Sequence, residues 1–333
     1  MRILATLLLF LAAVPAAAAD LPAPPWRSPL SQSHPLVGRI WLPAEGRFID
    51  AAELARRMVA ADFILLGEHH DNLDHHRLQT WALEQVIAVG RRPPVAFEML
   101  SPEQEPGLRR HLAEHPGQVE GLDAAVDWTK SGWPEWSAYR PLFAAALAAG
   151  LEIRTANVPL ADVRALARQQ ALPDAKRAYY GLDQPLDAAT SAAMAEEIRQ
   201  SHCSQLPERM VPGMVEVQRA RDTAMARAMT ADAPTGAVLI AGAGHVRSDR
   251  GVPAQIAHLA PDRPIFSLGF VEVVDDRTDP DSYGEPWGTD KPPFDAVWFT
   301  PRASDEDPCA GFAEHMKKKK EREEKEKENK GNG

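Results

Sequence analysis

"DFILLGEHHDNLDHH", residues 62–76, sets a run of apolar residues directly before a crowd of ionisable side chains. Phe63 to Leu66 is a short apolar run of the kind that forms a strand buried on both faces, and it stops at Gly67. One glutamate, two aspartates and four of the chain's eleven histidines follow at once. Asn72 or Asp71 is placed to cap a helix running to about Val89, which Gly90 and the pair Pro93-Pro94 then end.

A buried strand, a polar turn and a helix make half of a βαβ unit, and the pattern recurs outward from this stretch. Residues 95–100 read as a strand followed by a helix that opens on Ser101-Pro102-Glu103. Residues 151–157 read as a strand before a helix at 161–170, and residues 237–241 as a strand running into Gly242-Ala243-Gly244-His245. A short edge strand at 38–42, a helix at 51–61 capped by Asp50, a helix at 253–259 and late strands at 265–274 and 294–300 complete the alternation. The expected fold is α/β: a mostly parallel central sheet flanked by helices on both faces, with a helical insertion. Its helical middle covers about 101–150 and 171–232, inside one domain spanning 38–312. No internal repeat is visible.

The ends of the chain read differently. Met1-Arg2, an apolar run to Val14 and the ending Pro15 to Ala19 have the form of a secretory signal peptide cleaved near Ala19. No cysteine stands at that cleavage point, so a lipid-anchored lipoprotein is not supported, and the mature chain is expected to be periplasmic or secreted. No later run suits a membrane span. Residues 20–37 are Pro-rich and extended, and residues 313–333 are charged low-complexity sequence. The net charge of −10 is uneven: from Lys317 to Lys330 eight basic residues face five glutamates, leaving residues 21–316 at −13. Such a body is a poor partner for nucleic acid, whose binding rests on phosphate neutralisation. In an oxidising compartment the two cysteines, Cys203 and Cys309, are expected to pair.

Ligands of open α/β sheets gather beyond the carboxyl ends of the strands. Glu68-His69-His70, Glu98, Asn157 and His245 all fall there, on four separate strands. Gly67 and Gly242 each begin a Gly-x-x-His pattern, and both are read as sharp turns that aim His70 and His245 inward, with His69 competing for the same orientation. Imidazoles and carboxylates bind first-row metals, and a carboxylate beside a histidine can act as a base. Glu68, His70, Glu98 and His245 are therefore candidate ligands of a divalent metal or candidate catalytic groups; the bland alternative is a satisfied polar network closing the strand ends. His75 and His76 are read as surface residues because their adjacency turns them apart.

"LLGEHHDNLDHHRLQ", "VAFEML", "WPEWSAYRPLF", "SHC" with "QRARDTAMA", and "LIAGAGHVRSDRGVP" together resemble the ChaN family of iron-regulated haem-binding proteins. That family belongs to a superfamily with the Tiki and TraB-like proteins and the erythromycin esterases. The resemblance runs in order from about Gly38 to Leu268. It implies a haem-binding or haem-uptake protein of the cell envelope, with haem as cofactor and an envelope haem-transfer partner. It also implies two subunits paired around stacked haems, each iron held by a tyrosine and the propionates met by histidine. The Tiki side of the resemblance implies the alternative, a divalent-metal-dependent peptidase or esterase.

The tyrosine falls in none of these motifs. A phenolate is a hard anionic donor suited to ferric iron. Tyr180 and Tyr179, after Lys176-Arg177, are the first candidates, with His69, His70 and Arg177 as candidate propionate contacts. Tyr139, in an apolar helix, is a third candidate more suited to packing. Trp128, Trp133 and Trp136 either wall a porphyrin or pack helices. Met194, Met210, Met214, Met225 and Met229 read as core filler. Arg219 and Asp222 form either a surface pair or a pocket-facing one.

Overall fold

The computed structural model describes residues 25–307 and Cys309; the expected signal peptide, residues 20–24 and the charged tail lie outside them. Eight strands form one sheet: β1 (Ile40–Leu42), β2 (Arg47–Ile49), β3 (Phe63–Glu68), β4 (Val95–Phe97), β5 (Ile153–Thr155), β6 (Ala237–Gly242), β7 (Ile265–Glu272) and β8 (Ala296–Thr300). Their spatial order is β2-β1-β8-β7-β3-β6-β4-β5. From β8 to β5 all neighbours run parallel, and only β1 and β2 at one edge are antiparallel. The sheet is thus mostly parallel with helices on both faces, the class the sequence implies.

The side-chain alternation of a strand explains the layers. In β3, Ile64 and Leu66 join one core with Leu78, Trp81, Leu83 and Val86 of the helix Leu73–Ala88. Phe63 and Leu65 enter the opposite core with Met225, Met229, Val252 and Ile256, from the helices Val211–Thr230 and Val252–Leu259. β6 divides the same way, with Val238 and Ile240 on one face and Ala237, Leu239 and Ala241 on the other. A strand covered on both faces must be apolar throughout, which is why these two runs carry the sequence signal.

Asp50 and Asn72 cap their helices as expected, accepting from the N–H groups of Glu53 and of Asp74 and His75. The edge strand β2 has no counterpart in the sequence reading; its three residues are too few to show a period. Cys203 and Cys309 are joined by a disulfide, with Cα atoms 5.3 Å apart. Among the described residues no helix is long and apolar enough to cross a membrane.

Candidate functional site

Chain order hides the site and sheet order makes it. β6 lies between β3 and β4, so the carboxyl ends of three strands stand side by side. Glu68 ends β3 and is in register with Gly242 at the end of β6, and Glu98 directly follows β4. Residues far apart in sequence therefore share one rim.

From one side to the other, carboxylates and imidazoles alternate. Tyr139 donates its hydroxyl to Glu68 Oε1 at 2.5 Å, and His70 Nδ1 contacts the same oxygen at 2.7 Å. His76 Nε2 lies 3.2 Å from Glu68 Oε2. His70 Nε2 stands 4.0 Å from Glu98 Oε2, which accepts the Gly242 N–H at 2.8 Å. Glu98 Oε1 is 3.4 Å from His245 Nε2, and His245 Nδ1 meets Asp222 Oδ1 at 2.6 Å and Gln218 Nε2 at 3.1 Å. The acids and imidazoles of this row are buried except His70, whose side chain is one-third exposed at 33 %.

The electrostatics follow from that burial. Desolvation pushes the Glu68 carboxyl up, but the imidazoles of His76 and His70 outweigh it and hold it well below the usual carboxylate range. Glu98 is likewise raised by burial and then drawn down to about 2, chiefly by His245, with His70 and Arg221 adding to it. Burial lowers His245, yet Glu98 and Asp222 on its two sides lift it to about 10. Two carboxylates facing one imidazole place the proton of the His245–Asp222 pair on His245, against the burial that pushes Asp222 up. Burial also lowers His70, and Glu68 raises it by more.

The structure brings Glu68, His70, Glu98 and His245 together and leaves His69 exposed, so the inward position belongs to His70. Asn157 is adjacent, donating its amide to the Glu98 carbonyl at 2.8 Å. Gly67 and Gly242 are not sharp turns: Gly67 is inside β3, and Gly242 has φ −60° and ψ 145°. Their task is close approach. A Cβ on Gly67 would lie 2.2 Å from Val246 Cγ2, and one on Gly242 would meet His70 Nε2 at 3.0 Å.

Two surface assignments are corrected. His75 is wholly buried: the His69 N–H donates to its Nδ1 at 2.8 Å and its Nε2 faces the Thr300 hydroxyl at 2.8 Å. Burial keeps it neutral, well below the ordinary imidazole value. His76 is buried against the Tyr139 ring, centroids 4.2 Å apart. The surface reading does not hold because the helix Leu73–Ala88 has β8 on one side and the site on the other. Asn72 and Asp74 of the same stretch also tie chain to chain. Asp74 accepts the N–H groups of Arg27 and Ser28, and the Asn72 amide donates to Glu272 and the Pro301 carbonyl.

The tyrosines part company. Tyr180 is buried and donates to Asp162 Oδ2 at 2.8 Å, and burial with that carboxylate pushes its phenol up. Tyr139 is sealed on Glu68 and pushed up for the same two reasons. Tyr179 is 50 % exposed, and its hydroxyl has no hydrogen bond among the described residues. It lines a cavity of about 620 Å³ with Pro102, Pro159, Leu259 and Arg227. The Arg227 guanidinium lies 4.6 Å from the Tyr179 ring centre, and its Nε donates to the Tyr179 carbonyl. Arg177 is occupied elsewhere, paired with Glu216 at 3.0 Å.

Among the tryptophans, Trp128 and Trp136 pack on Phe143, whereas Trp133 lies edge-on to His70 at 4.8 Å. Met194, Met225 and Met229 are core. Arg219 turns away to the Gly181 and Gln184 carbonyls, so it forms no pair with Asp222. Asp222 and Gln218 are the partners hardest to find; their signal is the i, i+4 spacing that puts both on one helix face.

For a metal, the fit is poor as the side chains stand. Imidazoles and carboxylates point at one another, and among the described residues no three of the acid, histidine or cysteine side chains are arranged to hold one ion. For haem, the exposed phenol, the apolar wall and the arginine of the Tyr179 cavity are suitable, and its volume lies in the usual range for small-molecule sites.

Comparison with known proteins bears on these geometries. Residues 54–256 match a family model described as haem-binding uptake, Tiki superfamily, ChaN. The solved structure of ChaN of Campylobacter jejuni with cofacial haem binding superposes with a TM-score of 0.60 at 20 % identity, covering 78 % of this chain and 95 % of that one. The type III effector HopBA1 (TM-score 0.40, 14 % identity, covering 75 % and 92 %) is more distant. So is a mutant of the erythromycin esterase EreC in its open conformation (0.42, 10 %, 78 % and 95 %). No curated protein matches in sequence.

Proposed function

We propose that this chain, which belongs to the haem-binding-uptake ChaN family of the Tiki superfamily, is an exported haem-binding protein serving haem or iron handling in the cell envelope. The observation that carries this reading is the family match across residues 54–256. The Cys203–Cys309 disulfide supports export, because such bonds persist in oxidising compartments.

The cavity beside β5 is the seat this reading assigns. Tyr179 is the candidate whose hydroxyl makes no hydrogen bond among the described residues and would be free to hold the iron; Tyr139 and Tyr180 would each have to abandon a buried carboxylate. When bound, the haem supplies the iron and the visible absorption; the protein supplies the phenol, the apolar wall of Pro102, Pro159 and Leu259, and the charge of Arg227. Pairing with a second copy of this chain around stacked haems belongs to the same proposal.

Haem titration of the full chain, followed by absorbance and by light scattering, tests it. Saturable binding with a shift toward twice the monomer mass is expected. Non-saturating binding that leaves the mass unchanged would overturn the reading.

A further inference from the structure

A second cavity, of about 320 Å³, lies between the helices Ala188–Ser201 and Val211–Thr230 and shares no lining residue with the Tyr179 cavity. Its size is at the lower end of the range for small-molecule sites. Ser191, Ala195 and Arg199 recur at four-residue spacing along one helix, and Val211, Val215 and Arg219 along the other. The cavity is therefore a groove between two helix faces. Val211 and Val215 belong to a small apolar cluster with Met194 and Ile198, separate from the two cores that cover the sheet. Leu186, Ala195 and Pro212 complete the apolar part of the lining.

The two ends of the groove differ in charge. Where the chain turns from one helix to the next, Arg199 is neutralised by Glu208 at 3.0 Å and Glu196 at 3.3 Å. Arg219 stands about 12 Å along the other helix from Val211. It is half-buried and has no carboxylate partner among the described residues; its Nη2 donates to the Gly181 and Gln184 carbonyls at 2.8 and 2.5 Å. Its Nε and Nη1 make no hydrogen bond among those residues and are open to solvent. Glu216, in the same lining, is taken by Arg177 at 3.0 Å. Burial lowers the Arg219 guanidinium, and the nearby Glu216 and Asp183 do not restore it. A half-buried, unpaired cation at one end of an apolar groove is complementary to an anion that carries an apolar chain.

We infer that this groove holds a free fatty monocarboxylate, its carboxylate on Arg219 and its chain along Leu186, Ala195, Val211 and Val215. Guanidinium N–H groups are strong donors to a carboxylate. Glu208 and Glu216 stand in the same lining and oppose a phosphate dianion more than a single charge. The site does not depend on the haem reading, which uses the cavity at Tyr179, and either can fail without the other.

The test uses the haem-free full chain, R219Q and A195F, titrated calorimetrically with decanoate, decanol, acetate and inorganic phosphate below micellar concentrations. Decanoate is expected to bind the wild type saturably and R219Q about tenfold more weakly, the loss of one charge-assisted hydrogen bond. Decanol, which keeps the chain and lacks the charge, is expected to bind both proteins alike and more weakly than decanoate binds the wild type. Acetate, which lacks the chain, is expected not to bind. A195F sets a ring in the groove and is expected to abolish decanoate binding. Equal decanoate affinity in R219Q, or undiminished binding in A195F, would overturn the assignment. Phosphate binding as tight as that of decanoate would overturn the choice of ligand. A haem-free dimer, seen by light scattering and dissociated by A195F, would put a second copy in the groove and overturn it as well. Displacement of decanoate by added haem would make the groove part of the haem seat, with the same consequence. Should R219Q fail to fold by circular dichroism, the wild-type difference between decanoate and decanol and the A195F titration decide the matter.

Discussion

Tyr139 and Glu68 are joined by a hydrogen bond of 2.5 Å between two buried groups, one on the helix Trp136–Ala148 and the other at the end of β3. This contact fastens the helical insertion to the centre of the sheet. Y139F should destabilise the protein by about 1–3 kcal/mol, because a buried carboxylate loses a donor. Urea unfolding measures it. A change within error would show that His70 and His76 satisfy Glu68 unaided.

The row of acids and imidazoles makes stability depend on pH in a stated direction. His245 is held at about 10 in the fold against an ordinary 6.5. Its contribution is therefore full below about 6.5 and is lost as pH rises through about 10. Glu98 runs the other way: lowered from 4.5 to about 2, it contributes above 4.5 and its share is lost as pH falls through 2. D222N removes one of the two carboxylates facing His245 and should move the alkaline loss of stability to lower pH. Urea midpoints at a series of pH values read this out, and an unmoved alkaline limb would contradict the role given to Asp222.

Replacement of the two site glycines should differ in severity. In G67A the new methyl group meets buried Val246 and the Ala243 backbone, whereas in G242A it meets His70, whose ring has room toward solvent. We expect G67A to cost more than the roughly 1–3 kcal/mol of ordinary overpacking, and G242A to cost less than G67A while displacing His70. Denaturation midpoints, with the His70 ring resonance followed by NMR, distinguish them. Equal costs would mean that the clash is relieved by backbone movement.

How far the sequence reveals this site depends on which physical signal each residue leaves. β3, β4 and β6 are buried on both faces, so their composition alone marks them, and the strand-end rule then points to Glu68, Glu98 and His245. His75, His76 and Tyr139 leave no comparable mark. Adjacent histidines on a helix do diverge, but here both directions are covered, one by Thr300 and the other by Glu68. Tyr139 sits in an apolar helix whose pattern matches plain packing, and only the sheet order puts it over Glu68. Glycines at a strand end suggest backbone freedom, although the contribution of Gly67 and Gly242 is the missing side chain.

The Cys203–Cys309 bond closes a separation of 106 residues. Chain entropy assigns such a loop about 4–5 kcal/mol, so a reductant should lower the urea midpoint of the wild type and leave that of the double variant C203S/C309S unchanged. Identical midpoints for the oxidised and reduced wild type would contradict this.

Ligation of haem iron by Tyr179 is tested most directly by the absorption spectrum of ferric haem bound to the full chain and to Y179F, Y180F and Y139F at saturating haem. A high-spin ferric spectrum with phenolate character is expected in the wild type, retained in Y180F and Y139F and lost in Y179F alone. A spectrum unchanged in Y179F, or lost in Y180F or Y139F instead, would contradict it.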